Sequence, residues 1–131
     1  MKRALCLIKP DGIEALSDIK NYLHSKSLKI IAESNYHMLP EDIRFLYRTI
    51  LQSQPYAVDF SLKSMGDKTV VLILCEGDDT VYTLLHESKQ ILRKKHMKDN
   101  AKGIIHTPDT ELEANEEIEY FSLKCERLSL L

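Results

Sequence analysis

The spacing of hydrophobic positions alternates between strand and helix patterns along the chain. Residues 4–8 form a continuous apolar run typical of a central strand, and a Pro-Asp-Gly turn ends it. Leu16, Ile19 and Leu23 then recur at helical spacing, which predicts that a helix follows the first strand. Residues 29–38 begin with β-branched side chains and partly alternate afterwards, which predicts a second strand.

The middle of the chain contains the clearest predicted helix. It opens at Pro40, and its apolar positions share one face: Ile43, Leu46, Tyr47, Ile50 and Leu51. A short amphipathic stretch at 56–63 follows, and residues 69–75 have the composition of a buried strand. Three residues can cap the next helix, whose apolar stripe runs from 81 to 92: Asp78, Asp79 and Thr80. Residues 103–106 predict a last short strand, and a final helix begins near Asp109.

The predicted order is strand, helix, strand, helix pair, strand, helix, strand, helix. This order permits a ferredoxin-like βαββαβ sheet and equally a parallel doubly wound sheet, because both alternate strands with helices. The 131 residues show no internal repeat or low-complexity linker, and 44% of them are hydrophobic. We therefore expect a single domain, 1–131, with one core.

Composition and charge exclude several classes of protein. The net charge of −2 argues against a general nucleic-acid binder, and no apolar stretch approaches the roughly 18 residues of a membrane span. The three cysteines lie far apart, without a Cys-x-x-Cys pair, so they are interpreted as small buried hydrophobes in a reducing compartment. We expect a soluble cytoplasmic protein.

Two short motifs carry a resemblance to a known family. Residues 7–12 read Leu-Ile-Lys-Pro-Asp-Gly, and residues 103–109 read Gly-Ile-Ile-His-Thr-Pro-Asp. Together they resemble the nucleoside diphosphate kinase family, which has Lys-Pro-Asp-Gly after its first strand and a late Asn-Ile-Ile-His-Gly-Ser-Asp. The resemblance runs from about residue 2 to residue 121. It implies an α+β, ferredoxin-like fold: a four-stranded antiparallel sheet covered by helices.

His106 and Glu117 are the candidate catalytic pair. A neutral imidazole is a good nucleophile near pH 7, with a reference pKa of about 6.5, when an acceptor holds its second ring nitrogen. Glu117 lies 11 positions after His106 on the predicted last helix, which is close enough in sequence for that helix to fold back over the end of the strand. The resemblance implies that His106 carries the phosphoryl group and that Glu117 orients it.

Phosphoryl transfer also needs cations and donors around the phosphates, because its transition state disperses negative charge. By the resemblance, Lys9 contacts ribose and phosphate, and Tyr47 supports the histidine and the phosphates. Arg93, 13 positions before His106, matches a phosphate-binding arginine. Tyr56, which matches a base-stacking phenylalanine, would line the base side of the nucleotide; Phe60 would line it too.

The chain departs from the family pattern on the nucleotide side. Gly103 stands where the family has an asparagine that hydrogen-bonds the ribose, and Pro108 replaces a serine that donates to the glutamate. The segment 77–92 is much shorter and shows no counterpart for a second phosphate-binding arginine and threonine. A basic run after Arg93 is one hypothesis for compensation, because it could attract a triphosphate electrostatically. It comprises Lys94, Lys95, Lys98 and Lys102.

Each candidate also has a structural interpretation. A strand-end histidine is often satisfied by a carbonyl, and Lys9 could be a solvated strand end before a turn whose residues are explained by φ preferences alone. Tyr47 and Tyr56 could serve packing only. The acidic residues around Glu117 could form a solvated helix face.

The sequence leads to one preferred function and two alternatives. The preferred function is an ATP-dependent phosphotransferase that moves the γ-phosphate of a nucleoside triphosphate to a nucleoside diphosphate through a phosphohistidine, with Mg²⁺ bound through the nucleotide phosphates. The first alternative is a catalytically degenerate domain that binds a nucleotide or a protein. The second is a ferredoxin-like interaction module with an accidental motif match. The resemblance implies a homo-oligomer, dimer or hexamer. The apolar C-terminal tail, residues 120–123 and 128–131, is expected to pack on the core or on another subunit.

Overall fold

The computed structural model describes residues 1–96, 103–125 and 128. Its strands form one antiparallel sheet. They are β1 (Lys2–Ile8), β2 (Lys29–His37), β3 (Thr69–Gly77) and β4 (Ile105–His106). Their order across the sheet is β2-β3-β1-β4. The antiparallel alternative is therefore correct, and the ferredoxin-like α+β fold is confirmed.

The helices follow the predicted order, including the helix pair between β2 and β3. They are α1 (Leu16–Ser25), α2 (Pro40–Leu46), α3 (Pro55–Met65), α4 (Val81–His96) and α5 (Glu111–Lys124), with a 3₁₀ helix at Pro10–Ala15. Proline stands in the first turn of α2 and of α3, where its missing N–H costs no hydrogen bond. Thr110 caps α5 by accepting the amide of Glu113 at 3.1 Å. Among the described residues, no helix has the length and apolar character of a membrane span.

Helices cover both faces of the sheet, which explains the unbroken apolar run in β1. Residues 4–8 are all buried. Alternate side chains face opposite sides: Ala4, Cys6 and Ile8 belong to the core that contains α1 and α4 residues. Leu5 and Leu7 belong to the core that contains residues of α2 and α5. A strand buried on both faces loses the alternation that a half-exposed strand shows.

Several element boundaries differ from the prediction, and two of the differences lie beside the candidate site residues. The helix expected to run through Leu51 ends at Leu46, and Tyr47 is its C-cap residue with φ −105°. Beyond it, the Arg48 and Ile50 amides donate to carbonyls three residues earlier, so the chain tightens into turns. The last strand is shorter than predicted because Ile104 has a φ of 74°, which a strand does not accommodate.

A buried carboxylate fixes α5 relative to α2. Asp42 accepts hydrogen bonds from the Tyr120 hydroxyl at 2.7 Å, the Tyr36 hydroxyl at 2.8 Å, and the Leu39 amide and Lys124 ammonium at 2.9 Å each. Burial alone would raise the pKa of Asp42, but these donors outweigh it and hold that pKa below its usual value. The contacts matter for the site because α5 carries Glu117.

The cysteines and the C-terminal tail pack as apolar groups. Cys6, Cys75 and Cys125 are buried free thiols, as the sequence predicted. Leu128 is buried against the core that contains α5, which favours the first of the two arrangements considered for the tail. Residues 129–131 lie outside the described residues.

Candidate active site

The turn after β1 packs against the backbone just before His106. The Lys9 amide donates to the Ile104 carbonyl at 2.8 Å, and the Asp11 carboxylate accepts the Ile104 amide at 2.9 Å. A Cβ on Gly12 would lie 2.5 Å from the Ile104 carbonyl oxygen. No described glycine has a positive φ, so the explanation of this turn by φ preference is wrong for Gly12. The close approach of Ile104 is what requires glycine there.

Ile104 adopts a backbone conformation that β-branched residues rarely occupy. Its φ is 74°, and the Ile105 amide donates to the Gly103 carbonyl at 2.9 Å, which closes a three-residue γ-turn. Such a conformation persists only where surrounding contacts hold it. Lys9 and Asp11 supply those contacts, since they bind the carbonyl and the amide of Ile104. The turn sets the direction in which the chain enters β4 and its histidine.

His106 and Glu117 lie together, as the sequence spacing suggested. His106 Nε2 donates to Glu117 Oε2 at 3.2 Å, and Glu117 is buried on α5. The Tyr47 ring meets the imidazole edge-on, with ring centroids 6.4 Å apart. His106 Nδ1 makes no hydrogen bond to any residue of 1–96 or 103–125. The imidazole is therefore held at one nitrogen, and the other is available for chemistry.

Two adjoining cavities form a cleft beside His106. The first, of about 210 Å³, has charged walls that include Lys9, Lys89, Arg93, His106 and Glu117. The second, of about 310 Å³, has walls that include Ala57, Phe60, Ser61 and Ser64. Lys9, Tyr47 and Ile50 line both cavities. The cleft thus offers a charged half next to an imidazole, with four lysine and arginine side chains and three carboxylates in its walls, and a less polar half next to an aromatic ring, which suits a ligand with a charged end and a flat end.

Arg93 supports the loop that leads to the histidine. Its Nε donates to the Gly103 carbonyl at 3.1 Å, and its Nη2 donates to the Ile105 carbonyl at 2.9 Å. Burial lowers the pKa of Arg93, although a guanidinium stays charged at neutral pH. Gly103 is buried, lines neither cavity, and contributes its carbonyl to Arg93 rather than a side-chain donor to the cleft.

The two aromatic residues expected on the base side have different positions. Phe60 lines the apolar cavity with 52% of its surface exposed. Tyr56 is 87% exposed and lines neither half of the cleft. It lies in the first turn of α3, four residues before Phe60, so it is displaced by about 6 Å along the helix axis.

The lysines of the predicted basic run do not line the cleft where the structure describes them. Lys95 binds Asp18 on α1, with Nζ 3.0 Å from Oδ2. Lys94 is absent from the walls of both cavities, whereas Lys89, one turn before Arg93, is present. Four-residue spacing places Lys89 and Arg93 on one helix face, and this signal was available in the sequence. Two more lysines of that run lie outside the described residues: Lys98 and Lys102.

Thr107 is another residue that sequence reasoning missed. It follows His106, lines the charged cavity and is buried. Its hydroxyl oxygen has no hydrogen-bond partner in the described structure. Its neighbour Pro108 offers no backbone N–H. In the described ranges, no group of three or more His, Cys, Asp or Glu side chains could hold a metal ion.

Comparison with known proteins gives consistent results. A family model for nucleoside diphosphate kinase matches residues 2–126. A nucleoside diphosphate kinase of Desulfosudis oleivorans is 28% identical over 118 residues, which cover 88% of this chain and 81% of that protein. One of Neorickettsia sennetsu is 26% identical over an alignment of 141 residues, with 96% and 97% covered. The orthorhombic crystal structure of the Aquifex aeolicus nucleoside diphosphate kinase matches with a TM-score of 0.75 and 23% identity, covering 92% and 94%.

Proposed function

The chain belongs to the nucleoside diphosphate kinase family, and from that premise we propose that it moves the γ-phosphate of a nucleoside triphosphate to a nucleoside diphosphate through a phosphohistidine on His106. The observation that carries this proposal is the pairing of His106 with buried Glu117 at the wall of a cleft that also contains Lys9, Lys89 and Arg93. An imidazole held at Nε2 keeps its tautomer and orientation, which is what a histidine nucleophile needs.

The proposed transfer has two symmetrical halves. His106 Nδ1 gives its electron pair to the γ-phosphorus, the bond from that phosphorus to the β,γ-bridging oxygen breaks, and the nucleoside diphosphate leaves with that electron pair. The phosphorylated ring is positively charged while Nε2 keeps its proton, and the Glu117 carboxylate at 3.2 Å offsets that charge. A terminal phosphate oxygen of a second nucleoside diphosphate then attacks the phosphorus, and the bond to Nδ1 breaks.

The walls of the cleft support a placement for the nucleotide. Lys9 and Arg93 lie in the charged cavity with His106, where they would bind phosphate oxygens. Tyr47 lines both cavities, so it would lie between the phosphates and the base. Phe60 would contact the base at the apolar end, and Tyr56 lies outside this placement.

The donor set of the charged cavity fits a metal that arrives with the nucleotide. Lys9, Lys89 and Arg93 suit phosphate oxygens, and Mg²⁺ is commonly bound through substrate phosphates rather than in an all-protein cage. When bound to the phosphates, Mg²⁺ would neutralise part of their charge. Lys9, Lys89 and Arg93 would hold the remaining phosphate oxygens, and Glu117 would keep the His106 imidazole oriented toward the γ-phosphorus.

The assembly and the cellular compartment belong to the same proposal. We propose a homo-oligomer in the cytoplasm, because the family is generally oligomeric and the three cysteines are free thiols, which suits a reducing compartment. Light scattering on the purified protein measures the mass of the assembly, and a monomer at micromolar concentration would contradict the first part.

One alternative is favoured by a specific observation and stays open to test. Gly103 and Pro108 bring no side-chain donor to the site, which is what a domain that binds nucleotide without turnover would show. The other alternative, an accidental motif match, is contradicted by the family match over residues 2–126.

The experiment that decides between transfer and binding alone is labelling with γ-labelled ATP and Mg²⁺. We expect acid-labile, alkali-stable label on the wild type and none on His106→Ala. His24→Ala, which removes an exposed histidine outside the cleft, is the matched control and should label normally. GDP should then remove the label as GTP. Label on His106→Ala, or no label on folded wild type that binds ATP, would overturn the transfer mechanism.

A further inference from the structure

Lys89 is a sheltered cation in the charged half of the cleft. Its side chain is only 11% exposed, although lysine is among the residues least often buried. It lies one helical turn before Arg93 on α4, and both residues line the cavity that contains His106. The fold therefore places its ammonium group at the wall of the cleft and keeps most of its stem out of water.

The contact that Lys89 makes is loose and replaceable. Its Nζ lies 3.4 Å from Asp109 Oδ1, whereas charge-assisted hydrogen bonds are typically about 2.7–2.9 Å. Asp109 is 61% exposed, and the same oxygen lies 3.4 Å from His86 Nδ1. The carboxylate therefore has water and a second partner available if Lys89 leaves it. Arg93, by contrast, already uses two of its donors on backbone carbonyls.

We propose that Lys89 exchanges Asp109 for the terminal phosphates of the nucleotide and is a phosphate-binding residue of this chain. A phosphate carries more negative charge than a carboxylate and offers several oxygens to one ammonium group. The attraction is stronger in a partly enclosed cavity than at an exposed aspartate because less water screens it. The identity of the ligand rests on the proposed function, while the cation site itself rests on the geometry.

Lys95 provides a matched control on the same helix. It is six residues after Lys89, on a different face, where it binds Asp18 and does not line the cleft. Lys89→Gln and Lys95→Gln change the net charge equally, so a general electrostatic effect would appear in both. Lys89→Arg keeps the charge at the cleft and tests whether a cation at this position is sufficient.

The test is the dissociation constant of Mg·ATP, measured by calorimetry at low and high salt on the wild type and the three variants. We expect Lys89→Gln to weaken binding about tenfold or more, because a hydrogen bond to a charged group contributes roughly 1.5–3 kcal/mol. Lys95→Gln should stay within about twofold, as a distant exposed charge is screened by salt. Lys89→Arg should recover most of the affinity, and adenosine, which has no phosphates, should bind all four proteins equally.

The outcomes separate this inference from the proposed function. Wild type that binds ATP without labelling His106 would overturn the transfer mechanism, and a selective loss in Lys89→Gln would still support the cation site. Unchanged binding in Lys89→Gln, or an equal loss in Lys95→Gln, would overturn the role of Lys89 whether or not His106 is labelled. Wild type that binds no ATP would overturn both.

Discussion

Gly12→Ala should damage the site from a position that bears no functional group. The added Cβ would lie 2.5 Å from the Ile104 carbonyl oxygen and 3.0 Å from its Cα. These neighbours are backbone atoms, so they cannot move aside by a change of rotamer. The whole segment that enters β4 must shift instead, and His106 is two residues further along it.

The size of the effect follows from these distances. The Cβ must retreat from 2.5 Å to at least 3.0 Å, and the Lys9 amide, now 2.8 Å from the same oxygen, will be pulled out of good hydrogen-bonding range. Overpacking of this kind costs about 1–3 kcal/mol of unfolding free energy. A displacement near 1 Å at a reacting group can cost about a hundredfold in rate, so we expect labelling of His106 to fall by about tenfold or more.

Two measurements on the purified variant check this reasoning. Urea denaturation gives the free energy of unfolding, and the initial rate of phosphohistidine formation from ATP reports the site. Gly77→Ala is the control, since its Cβ would meet side chains rather than backbone, the nearest being Leu28 at 3.1 Å, far along the sheet from His106. Gly12→Ala with wild-type stability and wild-type labelling would refute the argument that close approach requires this glycine.

Three further predictions concern buried polar groups. Glu117→Gln should slow phosphorylation of His106 by about tenfold or more, because a neutral amide neither fixes the tautomer nor balances the charged ring; an unchanged initial rate would contradict this. Thr107→Val should raise the unfolding free energy by about 1 kcal/mol, visible as a higher Tm, since it removes a buried hydroxyl without a partner; a lower Tm would count against that. Asp42→Asn should lower the unfolding free energy by about 2 kcal/mol near pH 7. The pKa of Asp42 is depressed, so this difference should begin to shrink as the pH falls below about 3.9 and should be lost only as the pH falls through the lower native pKa of wild type; urea titrations at pH 7 and through the acid range test it.

Most of the fold could be predicted, because periodicity places each element and the family resemblance selects the antiparallel sheet. The errors occur where local geometry departs from the pattern. Tyr47 continues the apolar stripe of α2, yet the backbone there has already turned. Ile104 is β-branched and therefore favours a strand, but long-range hydrogen bonds to Lys9 and Asp11 hold its backbone at a positive φ. Neither bond is visible in local sequence.

The sequence was sufficient to predict the candidate catalytic pair of the site, but it predicted less well which other side chains line the cleft. His106 and Glu117 meet because spacing along one strand and one helix determines their separation. It was harder to predict which cations line the cleft, because a run of basic residues in the sequence does not by itself show which face of the helix each lysine occupies. Helical phase separates Lys89 from Lys95, and only the packed helix shows that the first reaches the cleft while the second binds α1.

The bond between Asp11 and Ile104 also bears on how the protein folds. It joins positions 93 residues apart, and closing a loop of that length costs about 4 kcal/mol of chain entropy before any contact repays it. The strand that carries His106 is only two residues long and, among the described strands, pairs only with β1, so little local structure can form it early. Reactivity at His106 should therefore be among the last native properties regained on refolding. The rate at which refolding protein recovers the ability to accept label would report how fast the two ends of the chain come together.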